Sequence, residues 1–92
     1  MFAYVQIIDH NNVRHENCFQ IKVKSDILNM KYIGGNVGHN LKIPIVDMQN
    51  LAITHNLDSD QITFSYDNHQ FVFIENGYGE INYLENNLKL AA

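Results

Sequence analysis

The stretch Ile62–Ile74, ITFSYDNHQFVFI, constrains the fold more than any other part of the chain. Ile62, Phe64 and Tyr66 alternate with Thr63 and Ser65, the period-two pattern of a strand with one face in a core. Asp67-Asn68 interrupts, and Phe71-Val72-Phe73-Ile74 follows. With Asp67 and Asn68 as the central residues of a tight turn, Tyr66 faces His69, Phe64 faces Phe71 and Ile62 faces Phe73. This register sets apolar against apolar on one face, and a slip of one residue would turn every side chain over. The stretch predicts a β-hairpin.

The same alternation recurs upstream. Phe2–Ile8 reads as a strand apolar on both sides, hence central or doubly covered, and Asp9–Asn12 as a polar turn whose loop extends to Asn17. Cys18–Lys24 places Phe19, Ile21 and Val23 inward and Gln20, Lys22 and Lys24 outward. A two-residue turn at Ser25-Asp26 pairs Val23 with Leu28, Ile21 with Met30 and Phe19 with Tyr32, and sets Lys22 opposite Asn29. A competing reading makes Ser25 the N-cap of a short helix through Tyr32. Gly34–Asn40 is a flexible loop, and Leu41–Val46 a strand that Pro44 confines to an edge or a bulge. Asp47–Leu57 fits strand or helix; the alternation of Leu51, Ile53 and His55 favours a strand over Asn50–Thr54. Leu57–Asp60 then turns into the aromatic hairpin. Glu75–Gly77 breaks the sheet, and Ile81, Leu84 and Leu88 predict one amphipathic helix over Tyr78–Leu88.

Length and composition bound the function. Ninety-two residues suit one domain, expected over 1–88, and Lys89–Ala92 resembles a vector-derived tail. A hydrophobic share of 46% with five Phe and five Tyr argues for a packed core. A net charge of −4 without long runs of one sign disfavours nucleic acid as a partner. Frequent Asn and absent Trp suggest an AT-rich genome, of a low-GC bacterium or its phage. A lone Cys18, an N-terminus without a basic signal region and short apolar runs point to the cytoplasm.

Ile43-Pro44-Ile45-Val46-Asp47-Met48, a further strand, then Ile62-Thr63-Phe64 with Asp67-Asn68, Phe71 and Phe73 and a closing helix together resemble bacterial pleckstrin-homology-like (PH-like) and GRAM-like domains. The resemblance spans Leu41 to Leu88. It implies a mainly-β (α+β) fold, an antiparallel strand meander bent into a partly open barrel with one C-terminal helix plugging an end. Phosphoinositide-binding members carry a basic cluster on their first two strands. Here Arg14, Lys22 and Lys24 are the candidates, with Asp9 and Glu16 beside them, so lipid headgroup binding is not expected.

The chemistry-bearing residues are sparse. His10, His15 and Cys18 suit zinc by type, but their H-x4-H-x2-C spacing matches no common zinc pattern and lacks a fourth ligand. Cys18 with His15 lacks an orienting third group, and Cys18 reads as a small packing residue. Gly34–Gly38 leads into His39-Asn40 in place of the Lys-Ser/Thr that a P-loop requires. Asp58 and Asp60 read as turn formers, and His39, His55 and His69 as surface or packing residues. No catalytic, cofactor or metal residue is expected. The chain reads as a non-enzymatic protein-interaction module with a protein partner or a second copy. A phage- or mobile-element-encoded inhibitor of a host protein is the first alternative, and a lipid-headgroup binder the second.

Overall fold

Period-two patterning becomes a single seven-stranded antiparallel sheet in the computed structural model, which describes residues 1–33, 40–55 and 59–88. The Gly34–Gly38 loop, His39, Leu57, Asp58 and the Lys89–Ala92 tail lie outside the described residues. The strands are β1 Phe2–Ile8, β2 Arg14–Lys24, β3 Ile27–Tyr32, β4 Asn40–Pro44, β5 Gln49–His55, β6 Asp60–Tyr66 and β7 His69–Ile74; the helix α1 spans Glu80–Asn87. Their order is β4-β3-β2-β1-β7-β6-β5. The sheet curls into a half-barrel with, among the described residues, one α-helix at its C-terminal end, the mainly-β, PH-like architecture given above as an expectation.

Both hairpins have the register predicted from apolar pairing. Phe64 faces Phe71 and Ile62 faces Phe73; Val23 faces Leu28, Ile21 faces Met30 and Phe19 faces Tyr32. Ser25, Asp26, Asp67 and Asn68 all have positive φ, between 51° and 61°, as two-residue turns matched to strand twist require. This geometry excludes a helix starting at Ser25. The ambiguous segment is a strand, longer at both ends than Asn50–Thr54.

Several boundaries and one connection differ from the sequence expectation; Asn40 already belongs to β4, and Asp60, expected in the turn, opens β6. β2 begins at Arg14 and not after Asn17, because Arg14–Asn17 pair along Val5–Ile8 through their backbones, which needs no apolar alternation. The strand around Pro44 stops there, and Ile45–Asp47 forms a 3-10 turn that leaves Val46 84% exposed. α1 starts at Glu80 rather than Tyr78. The strands also do not form one continuous meander: β1 is central and pairs with both β2 and β7, so β4 and β5 are left as the two ends. β1 is not covered on both sides, since Phe2 is 61% exposed.

The core consists of rows across this sheet. Val5, Phe73, Ile62 and Ile53 lie in one row, and Ile7, Phe71 and Phe64 in the next. Phe64 stacks on Phe71 with ring centroids 4.9 Å apart and on Phe73 at 5.9 Å. Ile81, Leu84 and Leu88 of the C-terminal segment complete the cluster. Val23 lies beyond the start of β1, and its N–H donates instead to the Tyr83 hydroxyl of α1 at 3.0 Å. The helix thereby supplies one acceptor to β2 just beyond the end of its pairing with β1.

Two carboxylates fix the entry into α1. Glu75 accepts from the N–H groups of Gly77, Gly79 and Ile81, and the buried Glu80 accepts from those of Asn76 and Tyr78. Gly77 and Gly79 have φ of 94° and 79°, which a side chain would strain. Partial burial pushes the Glu75 carboxyl up, but its bonds from Ile81, Gly79 and Gly77 outweigh this and hold it below its ordinary 4.5. A lowered folded pKa gives stability that is complete above the unfolded value and is lost as pH falls through the folded one. Glu75→Gln is therefore expected to cost up to about 1 kcal/mol at pH 7. Chemical denaturation of both proteins across pH should show the difference closing as wild-type Glu75 protonates.

Candidate functional site

The register places four of the chain's six cationic side chains on one outward face. In β2 and β3, Gln20, Lys22, Lys24 and Lys31 point away from a core that holds Ile21, Leu28 and Met30. Lys42 of β4 does the same beside buried Ile43. Lys22, Asn29 and Lys42 form one row across three strands, and Gln20, Lys31 and Asn40 the adjacent row. A groove of about 400 Å³ runs over these rows, lined by all three of those lysines and, among the described residues, by no Asp or Glu. Asn29 is held in place by bonds from its side-chain amide to the carbonyls of Lys22 and Ile27. The basic cluster thus lies on β2–β4, not on the first two strands. Arg14, at the far end of β2, does not line the groove.

The residues weighed for catalysis and metal binding are separated by the same geometry. His15 and Cys18 are three apart on β2, so their side chains leave opposite faces. Cys18 is exposed on the outward side opposite Tyr4, not a packing residue. His15 lies 3.4 Å from Asp9, and His10 lines a polar recess with Asp67 and His69 across the two neighbouring turns. Among the described residues, no group of three or more His, Cys, Asp or Glu can hold a metal ion. Asp60 pairs with His55 at 3.0 Å, and the His69 ring contacts the Asp67 carbonyl at 2.6 Å.

Local hydrogen bonds account for the other perturbed groups. Asp9 accepts from the N–H groups of Val13 and Asn11, which hold its carboxyl below the usual range and shape the β1–β2 turn. The Tyr4 hydroxyl donates to Glu16 at 2.7 Å, which raises its pKa. Phe2 and Tyr78, 61% and 76% exposed, flank a shallow recess with Cys18.

The sheet ends supply a second kind of surface. β4 is short and carries Lys42 and Pro44, two features that blunt an edge. β5 is longer and carries no Asp, Glu, Lys or Arg. Asn50, at φ 56°, marks a bulge between Gln49 and Ala52, after which Ala52–His55 run in regular register on β6. Ala52 and Thr54 are exposed there, while Leu51 and Ile53 pack partly against the core. Among the described residues, nothing pairs with the outer side of β5. No helix among the described residues is long and apolar enough to cross a membrane.

No protein-family model matches the chain, and no curated protein matches its sequence.

Proposed function

We propose that this chain is a non-enzymatic interaction module that takes an extended segment of a protein partner, a second copy included, onto the β5 edge. The supporting observation is the open end of the sheet at β5, a seven-residue strand without formal charge whose outer backbone groups have no strand partner among the described residues. Such an edge satisfies its N–H and C=O groups by accepting another strand, and natural edges that must stay single are usually guarded by charge or proline. β4 is guarded in this way; β5 has only its bulge. An inhibitor of a host protein is one form this activity can take.

Ala52→Lys places a guarding charge at an exposed edge position and leaves the core untouched. Wild-type and Ala52→Lys proteins, used as parallel baits and in sedimentation at rising concentration, are expected to differ. The wild type retains a stoichiometric protein partner or self-associates, and the variant loses at least about nine-tenths of that association at unchanged melting temperature. Equal association by both proteins would overturn the reading.

The lysine-lined groove favours one second reading, the binding of anionic lipid headgroups by the outward face of β2–β4.

A further inference from the structure

We infer that the groove over β2–β4 is a recognition site for an extended acidic peptide segment, one that presents carboxylates on alternate residues. This rests on the reading of the chain as a protein-binding module and names the chemistry of what it recognises. Neighbouring strands lie about 4.8 Å apart, so Lys22 and Lys42, two strands apart in one row, are separated by roughly 10 Å at the backbone. Lys31 is one strand over and two residues along from each, roughly 8 Å away by the same spacing. An extended peptide repeats its side chains on one side every ~7 Å, near the ~8 Å steps from Lys22 to Lys31 and from Lys31 to Lys42. The long lysine stems span the difference between the ~10 Å from Lys22 to Lys42 and the ~14 Å of two peptide repeats.

A single compact phosphate fits the groove less well. Its lining contains no Arg to form a two-pronged bond, and the backbone amides of β3 are engaged in ladders on both sides. Three separated ammonium groups suit three separated carboxylates. Gln20, Asn29 and Asn40 alternate with the lysines across the two rows. Gln20 and Asn40 bring side-chain amides to the groove, while the Asn29 NH2 is taken up by the Lys22 and Ile27 carbonyls and leaves its Oδ1 to accept. The rest of the chain favours this orientation: the protein carries a net charge of −4, and none of the acidic side chains among the described residues is on the groove lining, so they repel an acidic segment elsewhere. Charge complementarity therefore selects both the ligand and its place.

The test uses a labelled decapeptide of alternating Glu and Thr, a Gln-Thr control, inorganic phosphate as competitor and vesicles containing phosphatidylserine. Fluorescence anisotropy should show that the Glu-Thr peptide binds the wild type more tightly than its control does, and that binding weakens as salt rises. The triple variant Lys22→Gln, Lys31→Gln, Lys42→Gln should bind at least roughly tenfold more weakly, and Lys31→Glu alone several-fold more weakly, each at unchanged melting temperature. Ala52→Lys should bind the peptide as the wild type does. Undiminished binding by both lysine variants, or no binding of the peptide, overturns the inference. So does displacement of the peptide by millimolar phosphate, or co-sedimentation with the vesicles in its place, each pointing to a phosphate ligand. Loss of peptide binding in Ala52→Lys but not in the lysine variants places the peptide on β5, which overturns the groove and leaves the edge reading standing.

Discussion

Phe64→Asp is expected to leave the chain unfolded under conditions in which the wild type melts cooperatively. Phe64 is fully buried and stacks on both Phe71 and Phe73, so its ring joins two rows of the core. Removing a buried Phe side chain costs about 3–5 kcal/mol, and an unpaired carboxylate in its place adds several more. A domain of this length has a total stability of roughly 5–14 kcal/mol, so the substitution consumes most or all of it. Circular dichroism on heating checks this directly. A cooperative transition within a few degrees of the wild type would refute the hairpin core.

Leu84→Asp should lower the melting temperature by at least about 10 °C, whatever the protein concentration. Leu84 has no exposed surface and lies between Ile81 and Leu88 on the stripe that α1 turns toward β6 and β7. The helix is short, eight residues, and gains its stability from this packing rather than from its own propensity. Thermal melts at several concentrations separate the possibilities. A folded variant with unchanged melting temperature that only dissociates a dimer would make the helix an interface instead of part of the core.

Much of the fold was legible in the sequence because strands with one buried face announce their register. Phe64 opposite Phe71 and Ile21 opposite Met30 followed from alternation together with the two-residue turns, since a slip of one residue buries polar side chains and the turn length fixes which even register is taken. The pairing of β1 with β7 was not legible. It joins residues more than sixty positions apart, and both strands are apolar enough to satisfy several neighbours. The Arg14–Asn17 part of β2 carried no pattern, because its pairing with β1 rests on backbone groups. Nor does any local rule lead from Tyr83 to the N–H of Val23.

The candidate surfaces were less legible than the core. Lys22, Lys31 and Lys42 are separated by about ten residues each along the chain and come together only when two successive hairpin registers are combined. The outward direction of Lys22 was apparent, and so was its place opposite Asn29. What lay beyond was β4, which sets Lys42 on the far side of Asn29. Pro44 correctly marked β4 as an edge, but the second edge could be known only from the full strand order. By contrast, His10, His15 and Cys18 were close in sequence, and the strand geometry of β2 sends His15 and Cys18 to opposite faces.

The claim that β5 receives a partner strand is tested most directly by amide hydrogen exchange on the wild-type chain, alone and bound to the protein it retains as bait. Amides of Ala52–His55 that face away from β6 should exchange slowly only in the complex, because a new ladder covers them. Protection confined to α1 or to the β1–β2 turn, with β5 unchanged, would contradict the account.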